Sequence, residues 1–592
     1  MSFVCHLHGV IRKLLGPCAV AAIVGWLCQP ALAIQSFIIN PDNTLTFYNV
    51  NDIVGANTFY NAGFTGTTAT VAEIDAGLVW NGHDTLTGVT TQIPNPGISN
   101  GYGQFDQHAT WVGSALAGEG STVQGMGIAP GAQLWSGAIA TSWNPPDPGY
   151  TYSGNFNVTD DSLIDPYVEA LITGVNGQTA NVVSSSWGAG DGQDGDTALV
   201  VAMDALASQS GATMVFAAGN SGPTTNTVFQ PASGNNFIVV GASDEAATPA
   251  FSAVASFSSV GPSDYFLPFT SDGSEGELFE GARATIDLVA PGDGLVLAHY
   301  GGATGGNAFG GPTSTLTDSY DYYLAGTSFA TPIVAGGAAL VVDAGKQLYP
   351  TDPNAIDGRV VKAVLMNSAT ELPGYNNGQA VDTNGIITTT QALDYTQGAG
   401  QLNLTAAYAQ YTGGTHDVPT PLPAVAPGGI ATPVQANGWA YGVATASIFP
   451  NTSYGYLITT PQNRGYHLTT TLDWFSNEQY DTTDPGAFNT SYGDFWNLTL
   501  QVYETGTVPT KLVAQSESQF TSVQHLNFTL PDTAEYLIEV TIGSNAIYNF
   551  DGSTGAPYGL AWSVALPEPA SMGLLMFGVG ALMMRRRSKR TA

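Results

Sequence analysis

The sequence has 592 residues, of which 13 are Lys or Arg and 46 are Asp or Glu, for a formal net charge of −33. Its 72 glycines and 10% charged residues are typical of a secreted, loop-rich globular protein. Two of the basic residues lie near the N-terminus and five near the C-terminus, which leaves six for the rest of the chain. With so few cations to neutralise phosphates, the composition excludes a nucleic-acid partner.

Residues 1–33 have the pattern of a secretory signal peptide. Arg12 and Lys13 precede the apolar run LLGPCAVAAIVGWLC, and Ala31–Ala33 supplies small residues for cleavage. A mature chain without this segment has no thiol, which excludes disulfides, cysteine nucleophiles and cysteine metal ligands. All three cysteines lie inside the segment: Cys5, Cys18 and Cys28.

The region after the signal is predicted to be an α/β domain. We expect a short leader over residues 34–68 and the domain itself over 69–412. Apolar runs such as ATVAEID, NVVSSSWG, ATMVFAAGN and NFIVVGAS alternate with small-residue helical runs such as HATWVGSALAG. Strands that are apolar throughout and separated by helices predict a mostly parallel sheet covered by helices on both faces.

Two side chains of this region could form an acid–base pair. Asp75 ends the apolar run ATVAEID, at the strand edge where open α/β sheets form their sites. His108 opens the small-residue helix, which would hold an imidazole in place. His83, in GLVWNGHD, is the rival base. The remaining histidines beyond the signal precede a Gly-rich loop or fall in later segments, where they are poorly placed: His299, His416, His467 and His525.

The stretch AGTSFATP, from Ala325 to Pro332, places a lone hydroxyl before the apolar run IVAGGAALVVDAG. A helix that is apolar on every face should be buried. Pro332 is expected in its first turn, where a missing N–H costs little. Ser328 would then lie at a helix N-terminus, where free N–H groups favour a developing anion. The alternative is an ordinary N-cap serine.

The C-terminal half changes character. Residues 413–432, with VPTPLPAVAPGG, form a predicted Pro/Gly linker. Residues 433–566 contain short alternating runs such as HLTTTLDWF, NLTLQVYET, HLNFTLP, AEYLIEVTI and YGLAWSVAL. These predict an all-β sandwich or jelly-roll domain.

Residues 567–592 combine a Pro-Glu-Pro turn, the 14 apolar residues Ser571–Met584 and a basic end, RRRSKR. Fourteen residues are short for a bilayer span, although a transmembrane tail anchor is the simpler interpretation. The segment closely resembles the PEP-CTERM sorting signal of Gram-negative bacteria. That resemblance implies transient retention in the inner membrane, cleavage by an exosortase, and release to the cell surface or extracellular matrix.

The chain resembles the subtilases, the subtilisin-like serine endopeptidases, in the order of Asp75, His108 and Ser328 and in the sequence motifs around these residues. ATVAEIDAG resembles the aspartate motif, QHATWVGSALAG the histidine motif and AGTSFATPIVAGGAAL the serine motif. FSSVGP, DLVAPG and QGAGQLNLTAAY are further landmarks, so the likeness covers roughly residues 51–408. It implies a subtilisin-like protease domain over 69–412 that acts on protein or peptide substrates.

The resemblance implies a role for each matching residue. Ser328 would be the nucleophile, His108 the general base and acid, and Asp75 the carboxylate that orients the imidazole. Asn220 would donate to the oxyanion, its alternative role being that of a turn residue. His83 would be a structural loop histidine. The segment expected to pair with the substrate backbone is Ser186, Trp187 and Gly188.

Three positions depart from the family motifs. Ala76 replaces a hydroxyl residue after the aspartate, Ala109 replaces a glycine after the histidine, and Trp111 replaces a second histidine. None of them removes a catalytic group, but they bring efficiency and loop geometry into question. The leader 34–68 is also too short for a typical subtilase prodomain.

No cofactor is required by this chemistry and no metal site is assigned. The loop DGQDGD, residues 191–196, offers oxygen ligands for a structural Ca²⁺, but a solvated acidic loop is the commoner case. Three functions remain open. They are a secreted serine endopeptidase, a catalytically weak or inactive surface or matrix protein with the same fold, and an esterase using the same triad.

Overall fold

The computed structural model describes most of the chain between Ala33 and Leu566. The predicted sorting tail 567–592, nearly all of the signal peptide and most of the linker lie outside the described residues. The ranges described are 33–39, 44–94, 104–120, 125–144, 156–188, 190, 192, 194–269, 275–301, 319–416, 431–445, 453–492, 496–506, 510–542 and 555–566.

A seven-stranded sheet forms the centre of the N-terminal half, and all its strand pairs are parallel. The strands are short, and all but the edge strand Val89–Ile93 are almost wholly buried, as expected of a sheet covered on both faces. In sheet order they are Leu288–Pro291, Phe237–Ser243, Thr213–Ala217, Val182–Ser185, Thr70–Asp75, Gln133–Ala138 and Val89–Ile93. The predicted parallel α/β fold is confirmed.

Helices cover both faces of this sheet. One face packs against Gln107–Ala117, Thr327–Leu348 and Gly358–Asn367, and the other against Asp160–Val168 and Ala198–Ser210. Shorter helical segments lie at Val50–Ile53, Asn57–Asn61, Glu169–Thr173, Pro353–Ile356, Leu404–Thr412 and Pro485–Ala487.

The helix Thr327–Leu348, which we call the serine helix, is the core of the domain. Within the described part of the chain it is the single helix long and apolar enough to cross a bilayer, yet the apolar stretch is entirely buried inside the protein. Its small residues explain this placement, because Ala and Gly let it approach the sheet and neighbouring helices closely. The prediction of a buried helix after Ser328 is confirmed.

The predicted leader is part of the fold, which corrects the expectation that the first strand begins near residue 70. Gln35–Ile39 and Leu45–Asn49 form an antiparallel pair. The first of them also pairs with Leu295–Ala298, which in turn pairs with Tyr320–Leu324. Polar residues interrupt the apolar pattern here, so the strands depend on partners some 260 residues away rather than on local sequence.

The C-terminal half is an all-β sandwich, as predicted. Its core is rich in aromatic side chains, and the hydroxyls of Tyr456 and Tyr558 lie 2.7 Å apart inside it. One sheet contains Asn437–Thr445, Gly555–Ala565, His467–Trp474 and Val523–Thr529. The other contains Ala380–Val381, Ile387–Thr389, Lys511–Ser516, Leu498–Glu504, Ala534–Ile542, Ser453–Gln462 and Ala431–Val434.

Two of these strands come from the α/β half. The hairpin Ala380–Thr389 lies inside the predicted protease domain, but its second strand pairs in parallel with Lys511–Ser516 of the sandwich. The two halves therefore share a sheet. Three further antiparallel pairs are peripheral: Ser142–Trp143 with Phe156–Asn157, Ser263–Phe269 with Glu275–Arg283, and Gln479–Tyr480 with Thr490–Ser491.

A buried lysine joins the two halves. Lys362 Nζ lies 3.3 Å from Asp287 and 3.4 Å from Asp473 of the sandwich, and it donates to the Phe237 carbonyl at 2.6 Å. Removal of one member of such a buried group typically destabilises a protein by about 3–5 kcal/mol. The sandwich is thus attached to the α/β core by charge as well as by apolar packing.

Candidate active site

Three neighbouring strands bring the predicted site residues to one edge of the sheet. Asp75 is the last residue of its strand, Ser186 directly follows Val182–Ser185, and Asn220 lies three residues beyond Thr213–Ala217. Because these strands are parallel and adjacent, their carboxyl ends meet. This is the edge at which open α/β sheets form their sites.

Asp75 and His108 form a close pair at this edge. The distance from His108 Nδ1 to Asp75 Oδ2 is 2.7 Å, and the Asp75 side chain is 2% exposed. The other carboxylate oxygen accepts a hydrogen bond from the Ala76 N–H at 2.6 Å. Asp106 caps the helix that carries His108 by accepting from the Ala109 N–H. With Nδ1 turned to the carboxylate, Nε2 is the nitrogen left for a reacting proton.

Two further carboxyl groups surround this pair. Burial, followed by the charge of Asp75, raises the pKa of Asp106 to about 6. The same two causes raise the pKa of Glu73, which is fully buried, well above its usual range. Burial alone would lower the pKa of His108, but the Asp75 charge and hydrogen bond together with Asp106 raise it above its ordinary value. This side of the site favours a protonated imidazole.

Ser328 is the second residue of the serine helix. The N-cap is Gly326, so the interpretation of Ser328 as an ordinary N-cap serine is wrong. Its Oγ donates to the Ser186 carbonyl at 3.3 Å, and the Ser186 hydroxyl donates to the Ser328 carbonyl at 2.8 Å. The position leaves the Ser328 N–H without an intrahelical acceptor, as for every residue in a first helical turn.

Pro332 lies beyond the first turn of the serine helix, contrary to the sequence-based expectation. It is the sixth helical residue, so its missing N–H removes the hydrogen bond that the Ser328 carbonyl would otherwise accept. The Ser186 hydroxyl satisfies that carbonyl instead. The Ser186 hydroxyl therefore ties the first turn of the serine helix to the end of the strand Val182–Ser185.

Asn220 is fixed by the residue before Ser328. Its Oδ1 accepts from the Thr327 N–H at 2.9 Å and from the Thr327 hydroxyl at 3.1 Å. That hydroxyl in turn accepts from the Gly219 N–H at 3.1 Å. With the amide oxygen held in this way, the amide NH₂ is the group that can donate into the cleft, next to the Ser328 N–H.

Ser328 and His108 are not hydrogen-bonded to each other in the part of the chain that the structure describes, because the Ser328 hydroxyl is directed to Ser186. The His108 and Phe329 rings lie 6.0 Å apart, so the base is adjacent to the serine helix. Catalytic hydrogen bonds in structures without substrate are often long or misaligned. A rotation of the Ser328 side chain is the change that would bring the two groups together.

His83 is not brought to this site. It is fully buried, its Nε2 lies 2.7 Å from the Ser319 carbonyl, and its Nδ1 accepts from the Thr85 N–H at 3.2 Å. Its ring packs edge-on against Tyr320. These contacts agree with the structural role that the family likeness implied for it.

The segment expected to bind substrate follows its strand without a break. Ser186 and Trp187 are buried and Gly188 is exposed. The Trp187 indole donates to the Tyr167 hydroxyl at 2.9 Å, which fixes the wall behind the segment. Pairing of these residues with a substrate backbone stays a prediction.

Calcium binding is a prediction that nothing in the fold tests. Asp191 and Gln193 of the loop 191–196 lie outside the described residues, and burial followed by Asp194 raises the pKa of Asp196 to about 6. Within the described ranges, two groups of three side chains have ligand atoms within 4.8 Å of one another: Asp75 with Asp106 and His108, and Asp244 with Glu245 and Asp293. The first is the acid–base pair itself.

A parallel α/β sheet with a carboxylate, an imidazole and a helix-borne serine at its carboxyl edge is an arrangement typical of serine hydrolases. The family model described as "Subtilase family" matches residues 66–400, more than half of the chain. The chain therefore belongs to the subtilase family of subtilisin-like serine peptidases.

Curated subtilisins are similar to the chain at low identity. Subtilisin E of Bacillus subtilis (strain 168) is 28% identical over 314 residues, which cover 52% of this chain and 63% of that protein. Subtilisin of Bacillus pumilus is 28% identical over 314 residues and 87% of its length. Subtilisin BL of Lederbergia lenta is 27% identical over 335 residues, 55% of this chain and 91% of that protein. The chain thus spans less than two thirds of Subtilisin E.

Proposed function

We propose that the protein is a secreted serine endopeptidase that hydrolyses peptide bonds through an acyl-enzyme intermediate. The observation that carries the proposal is the 2.7 Å pair of His108 Nδ1 and Asp75 Oδ2, located beside Ser328 at the N-terminus of a buried helix. A serine is a weak nucleophile unless a positioned base removes its proton, and this arrangement supplies that base with its orienting carboxylate.

In the proposed reaction, Ser328 Oγ attacks the scissile carbonyl carbon while its proton passes to His108 Nε2. Negative charge then develops on the carbonyl oxygen, where the Asn220 amide and the Ser328 N–H can donate. His108 transfers the proton to the leaving amine as the C–N bond breaks, which leaves an acyl ester on Ser328. A water molecule, activated by the same imidazole, hydrolyses this ester and restores the enzyme.

We further propose that the substrate is an extended peptide. Residues 186–188 continue the strand Val182–Ser185 past the last strand pairing, so their backbone groups are placed to pair with an added strand. This geometry favours peptides over small esters, since an ester has no backbone to occupy the segment.

The test is hydrolysis of casein and of internally quenched peptides by the purified mature chain, with a small ester as a parallel substrate. We expect cleavage of the proteins and peptides, loss of it in Ser328→Ala, and no change in Ser491→Ala, an exposed serine of the sandwich. Ester hydrolysis without peptide cleavage would support the esterase. No turnover of any substrate would support the inactive surface or matrix protein.

Export is a separate proposal, and it rests on the two chain ends. We propose that residues 1–33 direct secretion, and that an exosortase cleaves near the Pro-Glu-Pro turn after transient retention in the inner membrane. Mass spectrometry of exported protein should show a start near Ile34 and an end between Pro567 and Pro569. Recovery of an intact RRRSKR tail on exported protein would contradict the sorting proposal.

A further inference from the structure

The strand Tyr320–Leu324 leads directly into the serine helix, which carries Ser328 as its second residue. Three residues separate its end from Ser328, and the Gly326 N–H donates to the Gly292 carbonyl at 2.8 Å, which anchors this connection. Along this strand Asp321 pairs with Leu297 of the neighbouring strand. Its side chain is 12% exposed, so a carboxylate is mostly buried close to the site.

Three donors converge on one oxygen of Asp321. The Trp111 indole Nε1 lies 2.8 Å from Asp321 Oδ2, and His299 Nδ1 lies 2.9 Å from the same atom. The Gln107 side-chain amide donates to it as well. Two of the three donors belong to the helix Gln107–Ala117, which carries His108 and is named the histidine helix below.

The side chains through which the histidine helix contacts these strands lie on one of its faces. Gln107, Trp111 and Ser114 are spaced at i, i+4 and i+7, so their side chains lie one above another. Ser114 Oγ accepts from the Ala298 N–H at 3.1 Å, on the strand paired with the Asp321 strand. These three side chains therefore fasten the histidine helix to the strands Leu295–Ala298 and Tyr320–Leu324.

His108 lies on the adjoining face of the histidine helix. The Trp111 ring meets the Phe329 ring at 6.0 Å and 76°. The His108 ring lies 6.0 Å from Phe329 and 6.4 Å from Trp111, so the three rings pack against one another. Trp111 is thus held at one end by Asp321 and at the other by the residue that follows Ser328. The tryptophan that departs from the family motif is the link between them.

We propose that Asp321 is a positioning residue that clamps the histidine helix to the strand Tyr320–Leu324, which leads into the serine helix, and so sets the distance between His108 and Ser328. The inference rests on the proposed function for its effect on turnover. Ser328 must rotate away from the Ser186 carbonyl to reach His108, and the spacing of helix and strand decides whether that rotation gives a usable hydrogen bond. Misplacement of a reacting group by 1 Å can cost about 100-fold in rate.

The first experiment measures peptide hydrolysis by Asp321→Ala, Asp321→Asn and Trp111→Phe. Asp321→Ala should lower kcat by at least about tenfold with KM within about twofold, because the binding segment 186–188 is not touched. Asp321→Asn keeps an oxygen that can accept from Trp111 and should recover most of the loss. Trp111→Phe keeps the ring against Phe329 but loses the N–H, and should fall between the two. Asp382→Asn, an exposed aspartate on the hairpin Ala380–Thr389, is the control.

The second measurement does not depend on activity. Backbone hydrogen exchange of residues 107–117 should be faster in Asp321→Ala than in the parent chain, with the sandwich strands unchanged. If residues 107–117 exchange faster in Asp321→Ala but the parent chain hydrolyses no peptide, the positioning role of Asp321 is supported and the proposed function is rejected. Unchanged exchange together with unchanged kcat would overturn the clamp. The proposed role of Asp321 would also be overturned if Asp321→Asn and Asp321→Ala lost kcat equally and both showed a large rise in KM.

Discussion

The two sides of the site differ in charge. On the nucleophile side, Ser328 is surrounded by the neutral groups of Ser186, Thr327 and Asn220, which are joined by hydrogen bonds to backbone atoms. On the base side, His108 is surrounded by carboxyl groups, and no Lys or Arg occurs between residues 34 and 282. The boundary between these two environments passes between Ser328 and His108.

The difference matches the charges that the proposed acyl transfer would create. Negative charge develops on the substrate oxygen, where the site offers N–H donors, and positive charge develops on the imidazole, where it offers carboxylates. Groups that are already oriented toward a developing charge stabilise it without rearranging during the reaction. Substitutions on the two sides should therefore affect peptide hydrolysis differently. Four variants test this difference, from the largest expected effect to the smallest.

Removal of the imidazole should have the largest effect. We expect His108→Ala to lower kcat by about 10⁶-fold, the size found when a triad acts as one unit. His83→Ala, in contrast, should chiefly lower the melting temperature, because the contacts of His83 with the Ser319 carbonyl, the Thr85 N–H and the Tyr320 ring lie away from the site. Reversal of the two losses in peptide hydrolysis would mean that the wrong histidine has been assigned to the site.

Removal of the Asn220 amide, the side-chain donor on the nucleophile side, should give the second largest loss of activity. Asn220→Ala should lower kcat by about 10²–10³ and leave KM nearly unchanged, because the amide is needed for charge that exists in the transition state. Asn220→Asp, which places a carboxylate where the amide NH₂ stood, should be slower still. A raised KM with unchanged kcat in Asn220→Ala would show that the residue binds substrate only.

A smaller effect is expected from the base side. Asp106→Asn keeps the helix cap but removes a charge that raises the pKa of His108. Without that charge the imidazolium is less favoured, so the base becomes available at lower pH. The acid limb of kcat/KM should therefore move to lower pH, chiefly above about pH 6, where Asp106 is ionised. A move to higher pH would contradict the electrostatic assignment.

The smallest effect should follow Glu73→Gln. Burial followed by Asp75 raises the pKa of Glu73 well above normal, so the neutral amide replaces a side chain that is already held in its neutral form. We expect the acid limb of kcat/KM to lie at the same pH as in the parent chain. Comparison with Asp106→Asn separates a charged neighbour of His108 from an uncharged one. A shift as large as that of Asp106→Asn would mean that Glu73 is ionised.

The sequence predicted the elements whose signals are local. The strand ATVAEID, the helix after Ser328 and the sandwich strands were identified because burial and hydrophobic period appear within a few residues. The fold class and the residues Asp75 and His108 followed from the same kind of signal, aided by the family motifs. The close Asp75–His108 contact itself needed the sheet to bring the two segments together.

Features that depend on distant partners were missed. The strand Gln35–Ile39 pairs with residues near 295, and the hairpin Ala380–Thr389 pairs with a strand near 514. The Asp321 contact with Trp111 joins residues 210 positions apart. Asp321 stands in the ordinary polar stretch TDSYDYYL, which contains no motif. Trp111, which stands where the family motif has a histidine, was the one sequence signal for this contact. It indicated an unusual position on the helix but did not identify Asp321 as the residue it contacts.

The measurement that tests the central claim most directly is the mass of the purified mature chain after reaction with a fluorophosphonate, which labels a serine only when a base has activated it. We expect one adduct per chain on the peptide that contains Ser328, and none in Ser328→Ala or His108→Ala. Labelling in His83→Ala should match the parent. No adduct on the parent chain, or an adduct on a different serine, would contradict the account.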